Sequence, residues 1–121
     1  MEKKDYINQI IEKLKPLNPY KVILFGSYAH DTYTKDSDID LLVVTNDEVI
    51  PNNFQENMKY YLKVARILDE IRNEVAMDLL VHTLPMHQKF IELDSMFARE
   101  ILKNGKILYE SHHQRLAESS Q

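Results

Sequence analysis

With 121 residues, 44% of them hydrophobic, the chain suits one compact domain around a single core, and no stretch approaches the roughly 20 apolar residues of a membrane span. The absence of cysteine excludes disulfides, thiolate catalysis and Cys-ligated zinc, and fits a reducing cytoplasm. Against 15 basic residues stand 19 acidic ones, a net charge of −4 that is poorly suited to gripping a nucleic-acid backbone.

Met1-Glu2-Lys3-Lys4-Asp5 lacks the apolar stretch of a signal peptide. Tyr6, Ile7, Ile10, Ile11 and Leu14 then recur at three- and four-residue spacing, which predicts an amphipathic helix ended by Pro16 and Pro19. Lys21 to Phe25 reads as a strand, and Gly26-Ser27 turns the chain so that a helix can begin. A second strand runs from Ile39 to Val44, and Thr45 to Asn53 is a loop rich in Asn with Pro51. A long helix is expected from Phe54 to Arg72, with Met58, Tyr61, Leu62, Ala65 and Leu68 facing inward. Val75 to Val81 reads as strand three. From Pro85 one or two helices lead to a left-handed C-cap at Gly105, and Lys106 to Glu110 adds a short edge strand. The tail from Ser111 to Gln121 is polar and expected to be mobile, which leaves residues 1–110 as the domain. This order, αβαβαβα(α)β, predicts an α/β (α+β) fold in which a small mixed β-sheet is flanked by helices.

The functional signal lies between Phe25 and Val44: a Gly-Ser pair, ten residues, then Asp38-Ile39-Asp40 opening a hydrophobic strand. Asp38 and Asp40 are two apart on an extended segment, so their carboxylates point the same way. They repel each other unless a cation sits between them, and hard oxygen ligands suit Mg²⁺. The Gly26-Ser27 turn offers backbone N–H groups and a hydroxyl to an anion. Each piece alone has a plainer reading, a turn for Gly-Ser and a solvated loop for Asp36-Ser37-Asp38. Asp40 argues against it, because Leu41-Leu42-Val43-Val44 follows. A carboxylate at the mouth of a buried strand costs stability unless something pairs with it.

The string Gly-Ser-x10-Asp-x-Asp resembles the signature of the DNA polymerase β-like nucleotidyltransferase superfamily. The short length resembles its minimal nucleotidyltransferase (MNT) branch. The likeness covers residues 5 to 110; Gly26, Ser27, Ala29, Ser37, Asp38, Asp40 and Leu41 carry its specific part. The family's third carboxylate is matched by Asp78, a lone acid inside an apolar run. The resemblance implies the polymerase β-like fold and a catalytic and metal-binding trio, Asp38, Asp40 and Asp78, holding Mg²⁺. It also implies that Gly26, Ser27 and Ser37 bind the nucleotide, with ATP as substrate. One departure is Asp31, where family members commonly carry Gly. Facing inward it would weaken triphosphate attraction; facing outward it would favour a helix N-terminus.

Minimal domains of this family are commonly encoded beside a HEPN protein, a small helical ribonuclease toxin, and act as its antitoxin. The resemblance therefore implies a cytoplasmic enzyme that moves AMP from ATP to a protein hydroxyl, a tyrosine of the HEPN toxin. The acidic balance agrees with a basic partner rather than with direct nucleic-acid or membrane binding. The alternative is a non-catalytic antitoxin that neutralises by contact alone, although a pure binder has no need of the acid trio. Transfer to a small molecule such as an aminoglycoside ranks lower, since relatives of that kind carry additional chain for the acceptor. His112-His113 is expected to be two solvated tail histidines, and His82 and His87 are not at ligand spacing and read as incidental. The tyrosines read mostly as packing residues, and for Tyr28 and Tyr33 beside the signature stacking on a base or ribose is the less favoured option. Lys35 and Arg66 read as surface cations, with phosphate contact the less favoured option.

Overall fold

A computed structural model describes residues 3–30, 34 and 37–111. Its sheet has four strands in the order β3-β2-β1-β4, with β1 Lys21–Phe25, β2 Ile39–Val44, β3 Met77–His82 and β4 Lys106–Glu110. β1 runs antiparallel to β2 and β4, whereas β2 and β3 are parallel. A parallel pair needs a crossover, supplied here by α2 (Phe54–Ile67) and α3 (Asp69–Arg72). The expected mixed sheet with flanking helices is what the chain forms.

The two faces of the sheet separate by residue parity. Val22, Leu24, Leu41, Val43, Leu79 and Val81 pack under α1 (Lys3–Leu14), α2 and α3, against Tyr6, Ile10, Leu14, Val64, Leu68 and Ile71. On the opposite face Ile23, Leu42, Val44 and Leu80 meet Leu84 and Phe90 of α4 (Leu84–Leu93) and Ile101 of α5 (Met96–Asn104). β2 is thus covered on both sides, which explains its continuous apolar run. Asp40 is its one residue that is not buried.

Four local expectations are corrected. The long helix breaks at Leu68, whose backbone (φ −97°, ψ 7°) leaves the helical region before α3 resumes, and buried Val64 belongs to the inner face. β3 begins at Met77, because the Val75 N–H bonds back to the Ile71 carbonyl at 3.0 Å and closes α3 instead. Gly105 is extended (φ −68°, ψ 152°), and the left-handed cap is Asp94 after α4 (φ 52°, ψ 41°). Gly105 is needed for its size: an added Cβ would overlap the Ile101 carbonyl oxygen and stand 2.7 Å from Ile23 Cγ2. Finally Ser111, expected in the mobile tail, is buried, and its N–H donates to the Tyr20 carbonyl at 3.2 Å. Residues 112–121, including His112 and His113, lie outside the described residues.

Candidate functional site

Strand register builds the site. Phe25 is paired with Asp40, and Asp40 with Asp78, so the three side chains stand side by side across β1, β2 and β3. The same face carries the row Ile23–Leu42–Leu80, two residues along each strand, and then Lys21–Val44–His82. α4 and α5 cover the middle row, which leaves the acids at the open end of a packed face. Asp38 precedes β2 and is exposed, as is Asp78; Asp40 is half-buried.

Gly26 follows Phe25 with φ +75°, a conformation that costs glycine nothing and other residues strain. An added Cβ would overlap Asp40 Oδ2 and lie 3.1 Å from Asp40 Cγ. The turn therefore backs directly onto the central carboxylate, and Gly26–His30 forms a short 3-10 helix. Ser27 is half-buried. The Ser37 hydroxyl accepts from the Thr34 N–H at 2.9 Å, and the Ser37 N–H donates to the Thr34 carbonyl at 3.1 Å, which shapes the approach to Asp38.

Burial above all, then the neighbouring Asp78 charge, a side-chain hydrogen bond with Asp78 and the Asp38 charge push the Asp40 carboxyl up to about 6. Asp40 and Asp78 are acids paired across neighbouring strands, with Asp38 in electrostatic reach. Among the described residues no three His, Cys, Asp or Glu side chains are arranged as a ready metal cluster. Above the pair lies a cavity of about 380 Å³ lined by Phe25, Asp40, Asp78, Leu79, Leu80 and Phe97.

Other expectations fare differently. Tyr28 is buried in the core beside Leu24 and Ile39, so its ring is not available to a base. Arg66 is exposed on α2, which packs on the face opposite the acids, out of reach of a phosphate held there. Asp31, Tyr33 and Lys35 lie outside the described residues.

Two further contacts involve residues that sequence spacing does not single out, one beside the turn and one at the far end of the same sheet face. His30 Nε2 meets Glu100 Oε2 at 3.1 Å, tying the Gly-Ser turn to α5. His82 and His87 are partners rather than incidental: their Nδ1 atoms are 3.1 Å apart, and burial lowers each to about 4, so both are neutral. The only signal for this pair is that a strand end and a first helical turn, joined by Thr83, bring a spacing of five together.

The chain matches the polymerase beta nucleotidyltransferase family over residues 7–114. It is 30% identical over 109 residues to the candidate protein adenylyltransferase MJ0604 of Methanocaldococcus jannaschii, covering 88% of this chain and 93% of that protein. Its fold is similar to that of a chain in a toxin–antitoxin crystal structure with AMP-PNP, with TM-score 0.58, 23% identity, and coverage of 93% of this chain and 78% of that one. A toxin–antitoxin MntA-HepT structure is similar at TM-score 0.51 and 19% identity, covering 93% of this chain and 75% of that one. At such identities the structural likeness is one of fold.

Proposed function

Because the chain belongs to the polymerase beta nucleotidyltransferase family, we propose that it transfers AMP from ATP to a protein hydroxyl, a tyrosine of a partner HEPN ribonuclease toxin, and acts as the antitoxin. The observation that carries this reading is the Gly26–Asp40–Asp78 arrangement, a glycine turn backed onto a paired carboxylate. The relative MJ0604, a candidate protein adenylyltransferase, supports protein as the acceptor. The toxin–antitoxin neighbour with AMP-PNP supports both the nucleotide and the partner. A need for ATP and Mg²⁺ assigns the reaction to the cytoplasm.

The donor set fits Mg²⁺. Asp38, Asp40 and Asp78 offer only hard oxygens, and the raised Asp40 carboxyl marks an acid pair that lacks a counter-charge. These three residues would hold the ion, which when bound neutralises charge on the phosphates and acidifies the attacking hydroxyl. The chain's own groups do the rest. The Gly26 and Ser27 backbone and the Ser27 hydroxyl bind the outer phosphates and stabilise charge on the departing pyrophosphate. Asp78, the exposed member of the pair, takes the hydroxyl proton. The tyrosine oxygen bonds to the α-phosphorus while the bond from that phosphorus to the bridging oxygen breaks. Pyrophosphate leaves with the electron pair, and the product is O-AMP-tyrosine. Its added bulk and negative charge would block RNA at the toxin's site.

Co-expression with the helical protein encoded beside this chain, followed by intact mass spectrometry of that protein, tests the reading. A gain of one or more AMP units that Asp38→Asn removes is the expected result. A neutralised partner of unchanged mass would mean neutralisation by binding alone.

A further inference from the structure

The cavity above the acids has a wall to which the transfer chemistry assigns no task. Asp40 and Asp78 are its polar part; Phe25, Leu79, Leu80 and Phe97 are the rest. Phe97 is 49% exposed, stands edge-on to Phe25 with ring centroids 5.7 Å apart, and is backed by Phe90 at 6.1 Å. Its position is held from several sides. Ser95 Oγ accepts from the Ala98 N–H at 3.0 Å and starts α5, Ile101 packs against Ile23, and Glu100 binds His30.

Geometry decides which substrate meets this wall. The phosphate-binding turn backs onto Asp40, the inner acid. Asp78 lies one strand further out, on the edge strand β3, and the cavity continues over Leu79 and Leu80 of that strand. Displacement at phosphorus keeps the attacking and leaving oxygens roughly in line, on opposite sides of the α-phosphorus. The cavity spans from Phe25 on β1, past Asp40, to Asp78 and Leu80 on β3, so its β3 end reaches the attacking side. Among the described residues its lining brings no cationic and no amide side chain, so a sugar or a nucleic-acid end would find only the two acids as side-chain partners there. A phenol brings one hydroxyl on an apolar ring, which matches two acids beside an aromatic wall.

Resting on the proposed transfer to tyrosine, we propose that Phe97, supported by Phe25, determines acceptor specificity: it packs on the acceptor ring and sets the phenol oxygen beside Asp78. Leu93 and Met96, exposed at the same α4–α5 corner, give the acceptor protein apolar surface to cover around that ring.

The test uses the purified partner as acceptor, in its native form and with the modified tyrosine changed to serine. It compares the wild-type chain with Phe97→Ala, Phe97→Tyr and Leu102→Ala, the last on the same helix but outside the cavity. Phe97→Ala is expected to lower kcat/KM for the tyrosine acceptor about tenfold through KM, and to narrow the preference for tyrosine over serine. Mg-ATP affinity by calorimetry should not move. Phe97→Tyr should restore transfer, and Leu102→Ala should behave as wild type. If Phe97→Ala does not fold, Phe97→Leu, which keeps apolar bulk without a ring, should show the same narrowed preference. Unchanged acceptor kinetics, or weakened Mg-ATP binding, overturns the assignment while leaving the transfer reaction intact. A wild-type chain that modifies no partner overturns both.

Discussion

The Asp40 carboxylate fills the space that a side chain on Gly26 would need, so the Gly26 turn and the central acid are built as one unit. Neither can be changed without the other feeling it. Gly26 is also at φ +75°, so its two demands, handedness and space, act together.

Gly26→Ala is accordingly expected to cost about 1–3 kcal/mol in urea unfolding, from strain plus displacement of Asp40. Transfer should be lost. Adding Asp40→Ala to this variant should recover part of the stability, because the overlap goes while the backbone strain stays. Strict additivity of the two changes would argue that the contact is not felt.

Asp40→Asn separates activity from stability. The carboxyl is raised from 3.8 to about 6, so the fold favours its protonated form. That stability is present below about pH 4 and lost as pH rises through 6. Replacing the acid by its neutral isostere should abolish transfer and, above pH 6, raise stability by about 1 kcal/mol once solvent screening of this half-open site is allowed for. Near pH 4 the two proteins should melt alike. Mg²⁺ should raise the melting temperature of the wild type above pH 6 and lose most of that effect in the variant.

The histidine pair works in the opposite sense. Burial lowers His82 and His87 from 6.5 to about 4, so the stability tied to their neutral forms is full above pH 6.5 and lost as pH falls through 4. His87→Leu removes the buried member of the pair and its ring contacts with His82 and Phe90. It should flatten the loss of thermal stability between pH 6.5 and pH 5, whatever it does to stability at neutral pH. A pH profile parallel to that of the wild type would show that the pair does not titrate with unfolding.

Much of this was legible in the sequence, for reasons tied to particular residues. β1 and β2 have the bounds read from the chain because Gly26 and the Asp-rich approach punctuate their apolar runs sharply. The candidate acids were legible from spacing and from Asp40 at the head of a buried strand. That Asp78 joins them was implied by the trio of the family resemblance, but its place directly beside Asp40 was not legible: it depends on the parallel register of β2 and β3, which the crossover through α2 and α3 sets and no local signal records. The break at Leu68 was hidden because no Gly or Pro stands near it and the apolar spacing of Ala65, Leu68 and Ile71 continues across it. Phe97 was hidden because its role comes from where α5 lands on the sheet. Gly105 shows the limit of a rule applied correctly: glycine after a helix predicts a left-handed cap, but here the residue serves close approach.

Gly105→Ala tests that last distinction. At φ −68° alanine fits the backbone, and the lower entropy of its unfolded chain would by itself stabilise by about 0.4–1 kcal/mol. Against this, the new Cβ would overlap the Ile101 carbonyl oxygen and press on Ile23 Cγ2 at 2.7 Å. The carbonyl is backbone at the end of α5 and already accepts from the Gly105 N–H at 2.8 Å, so it cannot swing away without breaking that bond. Overpacking of this kind costs about 1–3 kcal/mol and outweighs the entropy gain. The variant should therefore be less stable in urea unfolding, and Ile23→Ala in the same chain should not rescue it, since the tighter contact is with backbone. Because Gly105 sets how α5 meets β1, acceptor kinetics should weaken along with stability. A Gly105→Ala protein more stable than the wild type would mean that α5 is free to shift, and the wall formed by Phe97 with it.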